Sequence, residues 1–92
     1  MRESQVENYL VMRIKLHDGL CRKIAYIGKR GCPDRLVGFP NGRTALVELK
    51  RPDGIARDEQ EREHRRLRAV GFTVVVLSTL AEVDDFVSEM VG

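Results

Sequence analysis

Across residues 3–16 the apolar side chains Val6, Tyr9, Leu10, Ile14 and Leu16 recur at helical spacing, and Asp18-Gly19 ends the pattern. The chain therefore opens on an amphipathic helix. Residues 20–27 set Leu20, Arg22, Ile24 and Tyr26 against Cys21, Lys23, Ala25 and Ile27, a weak period of two that predicts a strand at a sheet edge. A basic glycine loop follows, Gly28-Lys29-Arg30-Gly31, and it leads through Pro33-Asp34 into a short strand over residues 35–39. Pro40-Asn41-Gly42 marks a tight turn, because Asn-Gly tolerates the positive φ angles a hairpin needs. Residues 44–50 return as the partner strand, so Asp34 and Glu48 are expected side by side.

The second half is patterned differently. After the Arg51-Pro52-Asp53-Gly54 turn, residues 56–70 predict a charge-rich helix capped by Gly71. Residues 72–77 are almost continuously apolar, which predicts a strand covered on both faces. Thr79 and Glu82 form a capping box, and Leu80, Val83, Phe86, Val87 and Met90 give the last helix its buried stripe. The order is α-β-β-β-α-β-α, an α/β domain spanning residues 1–92 without repeat or linker.

Composition narrows the function classes. With 33% charged residues and a net charge of +2, the surface is mixed, so charge alone does not argue for nucleic acid. A domain of 92 residues buries a smaller share of its surface than a larger one, which leaves room for a second copy as partner. No apolar run approaches the roughly 18 residues of a membrane span, and no secretory signal opens the chain, so a cytoplasmic location is expected. Cys21 and Cys32 lack zinc or redox spacing and read as reduced packing residues.

The chemistry concentrates in Asp34, Glu48 and Lys50. Two carboxylates can bind a hard divalent cation, which activates a water against a phosphodiester, and an ammonium beside them offsets the developing charge. Glu48 and Lys50 share one strand face, and Val47 and Leu49 share the other. Glu3 and Glu7 are both candidates for a further acid. At about 100° per residue Glu3 projects between Leu10 and Ile14, inside the apolar arc, so Glu3 is preferred, with simple helix-dipole placement as the alternative. Gln60 falls on one side of its helix with Ala56, Leu67 and Val70, aimed at the sheet to hold a water or phosphate, or else merely bonded to backbone. His64 lies near the same face without a second ligand-spaced residue and reads as structural, while His17 reads as a surface residue at a helix end. Lys29, Arg30 and Arg35 flank Asp34 as candidate phosphate contacts. The arginines of the second helix alternate with acids and read equally well as a solvated face.

Pro33-Asp34 followed by Glu48-Leu49-Lys50 resembles the signature of the PD-(D/E)XK nuclease superfamily, whose core is a mixed four-stranded sheet flanked by helices. Glu3-Ser4-Gln5, the string Arg30-Gly31-Cys32-Pro33-Asp34-Arg35, then Val47-Glu48-Leu49-Lys50-Arg51-Pro52 and Gln60 are similar to the VRR-NUC branch, in its small stand-alone phage and bacterial form. The resemblance implies a Mg²⁺- or Mn²⁺-dependent, structure-selective DNA endonuclease, homodimeric, acting on branched DNA such as Holliday junctions or flaps. It implies Glu3, Asp34, Glu48 and the Leu49 carbonyl as metal ligands, with Lys50 and Gln60 assisting. Cys32 stands where the family often has a small aliphatic residue. The alternatives are a non-catalytic DNA-binding module or a phage interaction protein on the same fold.

Overall fold

The computed structural model describes residues 2–51, 54 and 57–92. Its elements are α1 (Glu3–Leu16), β1 (Leu20–Lys23), β2 (Arg35–Gly38), β3 (Thr44–Leu49), α2 (Asp58–Ala69), β4 (Val74–Leu77) and α3 (Leu80–Val91). The order α-β-β-β-α-β-α is as expected. One mixed sheet runs β1-β2-β3-β4, antiparallel at its first two pairings and parallel between β3 and β4.

Strand alternation divides the sheet into two faces. Val37 and Phe39 from the β2 segment, Ala45, Val47 and Leu49 from β3, and Leu77 from β4 pack against Val6, Leu10 and Ile14 of α1 and Val83, Phe86, Val87 and Met90 of α3. This is the main core. Tyr9 Oη donates to Asp84 at 2.6 Å and Arg13 Nε to the same oxygen at 3.1 Å, joining the two helices. The other face carries Leu36, Leu46, Glu48 and Val76, with α2 laid over part of it. Arg68 fastens the end of α2 to the sheet by donating to the Val74 carbonyl at 2.8 and 3.2 Å.

Local signals act as read. Gly42 at φ 87° closes the hairpin, with Phe39 N–H donating to Arg43 O and Gly42 N–H to Phe39 O. Gly71 at φ 102° ends α2, and the Phe72 N–H donates back to Leu67 O. Thr79 Oγ1 accepts from the Glu82 N–H at 3.1 Å, completing the capping box of α3.

Several expectations change. The strand expected over 20–27 stops at Lys23, because β2 begins opposite at Arg35, and beyond the Ile24 N–H bond to Asp34 O nothing is left to pair with. The last strand begins at Val74, not Phe72, and its position at the sheet edge leaves Phe72 and Val76 exposed instead of covered on both faces. Leu16, counted in the apolar stripe of α1, is also exposed. The second helix is described from Asp58, so Ala56 lies outside the described residues, as do Pro52 and Asp53 of the expected turn.

Because Leu10 is fully buried between α1, the sheet and α3, Leu10→Ala should cost about 2–5 kcal/mol in urea unfolding. Leu16→Ala should fall within about 0.5 kcal/mol of the parent, since Leu16 is two-thirds exposed.

Candidate active site

The register of the central hairpin builds the site. Arg35 pairs with Val47, so one step outward Asp34 stands opposite Glu48, and both point to the face covered by α2. The Asp34 carbonyl accepts from Ile24 N–H at 2.8 Å, which anchors the aspartate in the sheet. Lys50 follows two residues after Glu48 on the same face, and its N–H donates to Leu77 O at 3.0 Å. Asp34, Glu48 and Lys50 are thus brought together, while the Leu49 side chain enters the core and its carbonyl remains at the same strand end.

The N-terminal acids differ from expectation. Glu3 is exposed although it lies on the side of the buried stripe, because the core along α1 begins only at Val6. It still acts at a distance, adding to the negative field felt by Glu48. Glu7 is committed elsewhere, since its carboxylate accepts from Arg35. Arg35 itself corrects a second expectation. Alternation along β2 sends it to the α1 face with Val37, where at 9% exposure it is paired to Glu7 and, at 2.9 Å, to Asp34. It braces the aspartate and is not placed to touch DNA, whereas Lys29 and Arg30 remain on the exposed loop.

Helix α2 supplies the opposite wall. Gln60 is half-buried, and its Oε1 accepts from the Arg57 N–H at 3.1 Å, the backbone bond that was the bland alternative for this residue. One turn further, Glu63 and His64 are buried, so the solvated face that was one of two equal readings of this helix does not extend to Glu63. Glu63 receives Arg66 at 2.9 Å, Lys29 at 3.7 Å and the Cys32 thiol at 3.7 Å, so it clamps the glycine loop to the helix. The Arg66 hydrogen bond, more than any other contact, lowers the Glu63 pKa, whereas burial first and Glu63 second raise that of Cys32. Gly31 completes the joint. At φ 79° an added Cβ would lie 2.8 Å from Glu59 O and 3.1 Å from the Gln60 Cα, so only glycine lets loop and helix approach this closely.

Glu48 is the electrostatic centre. Its side chain is 13% exposed, and burial, followed by repulsion from Asp34, pushes its pKa up to about 7, with Glu3 adding to the shift and Lys50 and Arg35 opposing it. The His64 imidazole stands 4.0 Å from Glu48 Oε1, and burial first, then Arg68 and Lys50, lower its pKa. Among the described residues no three His, Cys, Asp or Glu side chains converge as a ready-made metal cage. A hard cation that keeps several waters needs only one or two carboxylates, and crowded negative charge around Glu48 is what such a cation would relieve. Asp34, Glu48 and the Leu49 carbonyl therefore fit a magnesium-like ion, with Glu3 farther out.

Comparison with known proteins yields a consistent picture. No protein-family model matches the chain. It is 42% identical over 79 residues to "Putative nuclease p44" of Acyrthosiphon pisum secondary endosymbiont phage 1, covering 86% of this chain and 85% of that protein. A solved structure described as a VRR_NUC domain superposes with a TM-score of 0.86 at 36% identity, covering 94% of each chain.

Two outcomes test the geometry. Gly31→Ala should cost about 1–3 kcal/mol in chemical unfolding, since it combines a left-handed backbone with a backbone clash. The Glu48 carboxyl holds its proton to higher pH folded than unfolded, so its stabilising contribution is full below about 4.5 and lost as pH rises through about 7. At pH 8 without metal, Glu48→Gln should therefore be more stable than the parent by about 1–3 kcal/mol. That gain should vanish below pH 4.5 in denaturant titrations. A gain independent of pH would contradict this account.

Proposed function

Because the chain belongs to the VRR-NUC family, we propose that it is a divalent-cation-dependent endodeoxyribonuclease, acting as a homodimer on branched DNA such as four-way junctions or flaps. The observation that carries this reading is the placement of Asp34, Glu48 and Lys50 on one sheet face, with the Glu48 pKa raised by burial first and by Asp34 second. Asp34, Glu48 and the Leu49 carbonyl would hold Mg²⁺ or Mn²⁺. When bound, the cation supplies Lewis-acid polarisation of a phosphate oxygen and a more acidic water. Lys50 places a positive charge beside the same face and offsets the charge that develops at phosphorus. Gln60, after releasing its backbone bond, orients water or phosphate, and Glu3 adds to the field that attracts the cation.

The exposed Lys29 and Arg30 carry the DNA backbone contacts, which position the duplex without reading its sequence. Few aromatic residues and no tryptophan argue against a stacking groove for unpaired bases. Dimer formation is supported by Leu36, Phe72 and Val76, exposed apolar side chains on or beside the α2 face of a small domain. A two-fold pair of sites would match the symmetry of a four-way junction. The phage origin of the p44 relative supports action in the cytoplasm of a bacterial host. Among the described residues no helix is long and apolar enough to cross a membrane.

Purified protein should nick branched DNA in Mg²⁺ or Mn²⁺ and fall silent in chelator, with linear duplex cut more slowly. Asp34→Ala and Lys50→Ala should each lower kcat by about 10²–10³-fold while DNA is still retained in gel-shift assays. Undiminished nicking by Asp34→Ala would sink the catalytic reading, and binding without any nicking by the parent would favour a non-catalytic DNA-binding module.

A further inference from the structure

His64 is 4% exposed, and its Nε2 is, among the described residues, the one buried side-chain nitrogen or oxygen with no hydrogen-bond partner. Such a group costs about 1–3 kcal/mol unless something claims it. Glu48 Oε1 stands 4.0 Å away. A shift of about 1 Å would close this gap to an ordinary N–H···O bond. An unsatisfied buried nitrogen and a largely buried carboxylate therefore face each other across the sheet–helix seam.

We propose that His64 is a positioning residue, donating from Nε2 to the Glu48 carboxylate and holding it in place for a divalent cation. The inference rests on the metal-binding reading of Glu48. A carboxylate that ligates a cation with one oxygen is fixed in orientation when its other oxygen accepts a hydrogen bond from the surrounding protein. Helix α2 is well placed to supply that bond. Gly31 packs on its backbone at Glu59 and Gln60, Glu63 ties it to Lys29 and Cys32, and Arg68 ties it to Val74. His64 lies inside this fastened segment, one turn after Gln60, so its ring approaches Glu48 from a rigid support. An imidazole serving only as packing would have no reason to leave its buried nitrogen aimed at a carboxylate.

Calorimetric titration of Mn²⁺ into DNA-free protein tests the inference on His64→Phe, which keeps a ring and removes the donor, and His64→Gln, which keeps an N–H donor. His64→Phe should weaken Mn²⁺ binding by about 10- to 100-fold, and His64→Gln should recover most of the affinity. Thermal unfolding without metal should not fall in His64→Phe, because an unsatisfied polar group has been removed. Wild-type Mn²⁺ affinity in a folded His64→Phe overturns the proposal. Should that variant fail to fold, ¹⁵N spectra of the wild-type imidazole decide the matter. A protonated Nε2 whose resonance moves with Mg²⁺ in the parent but not in Glu48→Gln supports it, and an unprotonated Nε2 overturns it. Absence of Mn²⁺ binding by the parent overturns the metal reading and this inference together, whereas parental binding with an unaltered His64→Phe overturns this inference alone.

Discussion

A slip of one residue between β2 and β3 would turn Glu48 and Lys50 into the core beneath α1 and α3 and push Val47 and Leu49 outward. The register that prevents this is enforced from both sides. On one face Val37, Ala45, Val47 and Leu49 are nearly free of solvent, so any slip would expose several apolar side chains at once. At the end of the ladder the Asn41-Gly42 hairpin fixes the offset, and Asn41 and Arg43 tie that turn to the last carbonyls of α3 at 2.8 Å. The acidic pair is therefore held by hydrophobic packing on the opposite side of the sheet, not by any attraction of its own.

Arg35 links this register to α1. A guanidinium at 9% exposure would be costly alone, but Glu7 and Asp34 both accept its charge. The consequence is directional. Asp34 is drawn toward the guanidinium on one side and faces Glu48 on the other, while the helix carrying Glu3 is tied to the same strand.

The sequence revealed the parts of the site that depend on local rules. Strand alternation put Glu48 and Lys50 on one face, and Asn-Gly made Asp34 and Glu48 neighbours without tertiary information. What stayed hidden depends on which side of an element meets which neighbour. Arg35 sits in a basic stretch with Lys29 and Arg30, and only the pairing of β2 decides that it turns inward. Glu63 lies in a charge-rich helix whose acids read equally well as a solvated face, and its three-residue spacing from Gln60 was the available signal. His64, four residues after Gln60, already read as structural near that face. The exposure of Glu3 was hidden in the other direction, since angular position on a helix says nothing about whether the core reaches its first turn.

The seam between α2 and the sheet is unusual in being lined by polar and ionisable groups, Glu63, His64, Glu48 and Cys32, where a small domain would gain more from aliphatic packing. Glu63 has found its partners. His64 Nε2 has not among the described residues, and burial first, then repulsion from Asp34, holds the Glu48 carboxyl well above its ordinary pKa. Unresolved electrostatics of this kind are destabilising in the isolated domain, and they concentrate where a cation would reverse the sign of the interaction. The same seam leaves Leu36, Phe72 and Val76 in solvent because α2 covers only part of its sheet face. Filling the seam itself with aliphatic side chains would stabilise the isolated domain, but it would remove Glu48 and the groups that face it.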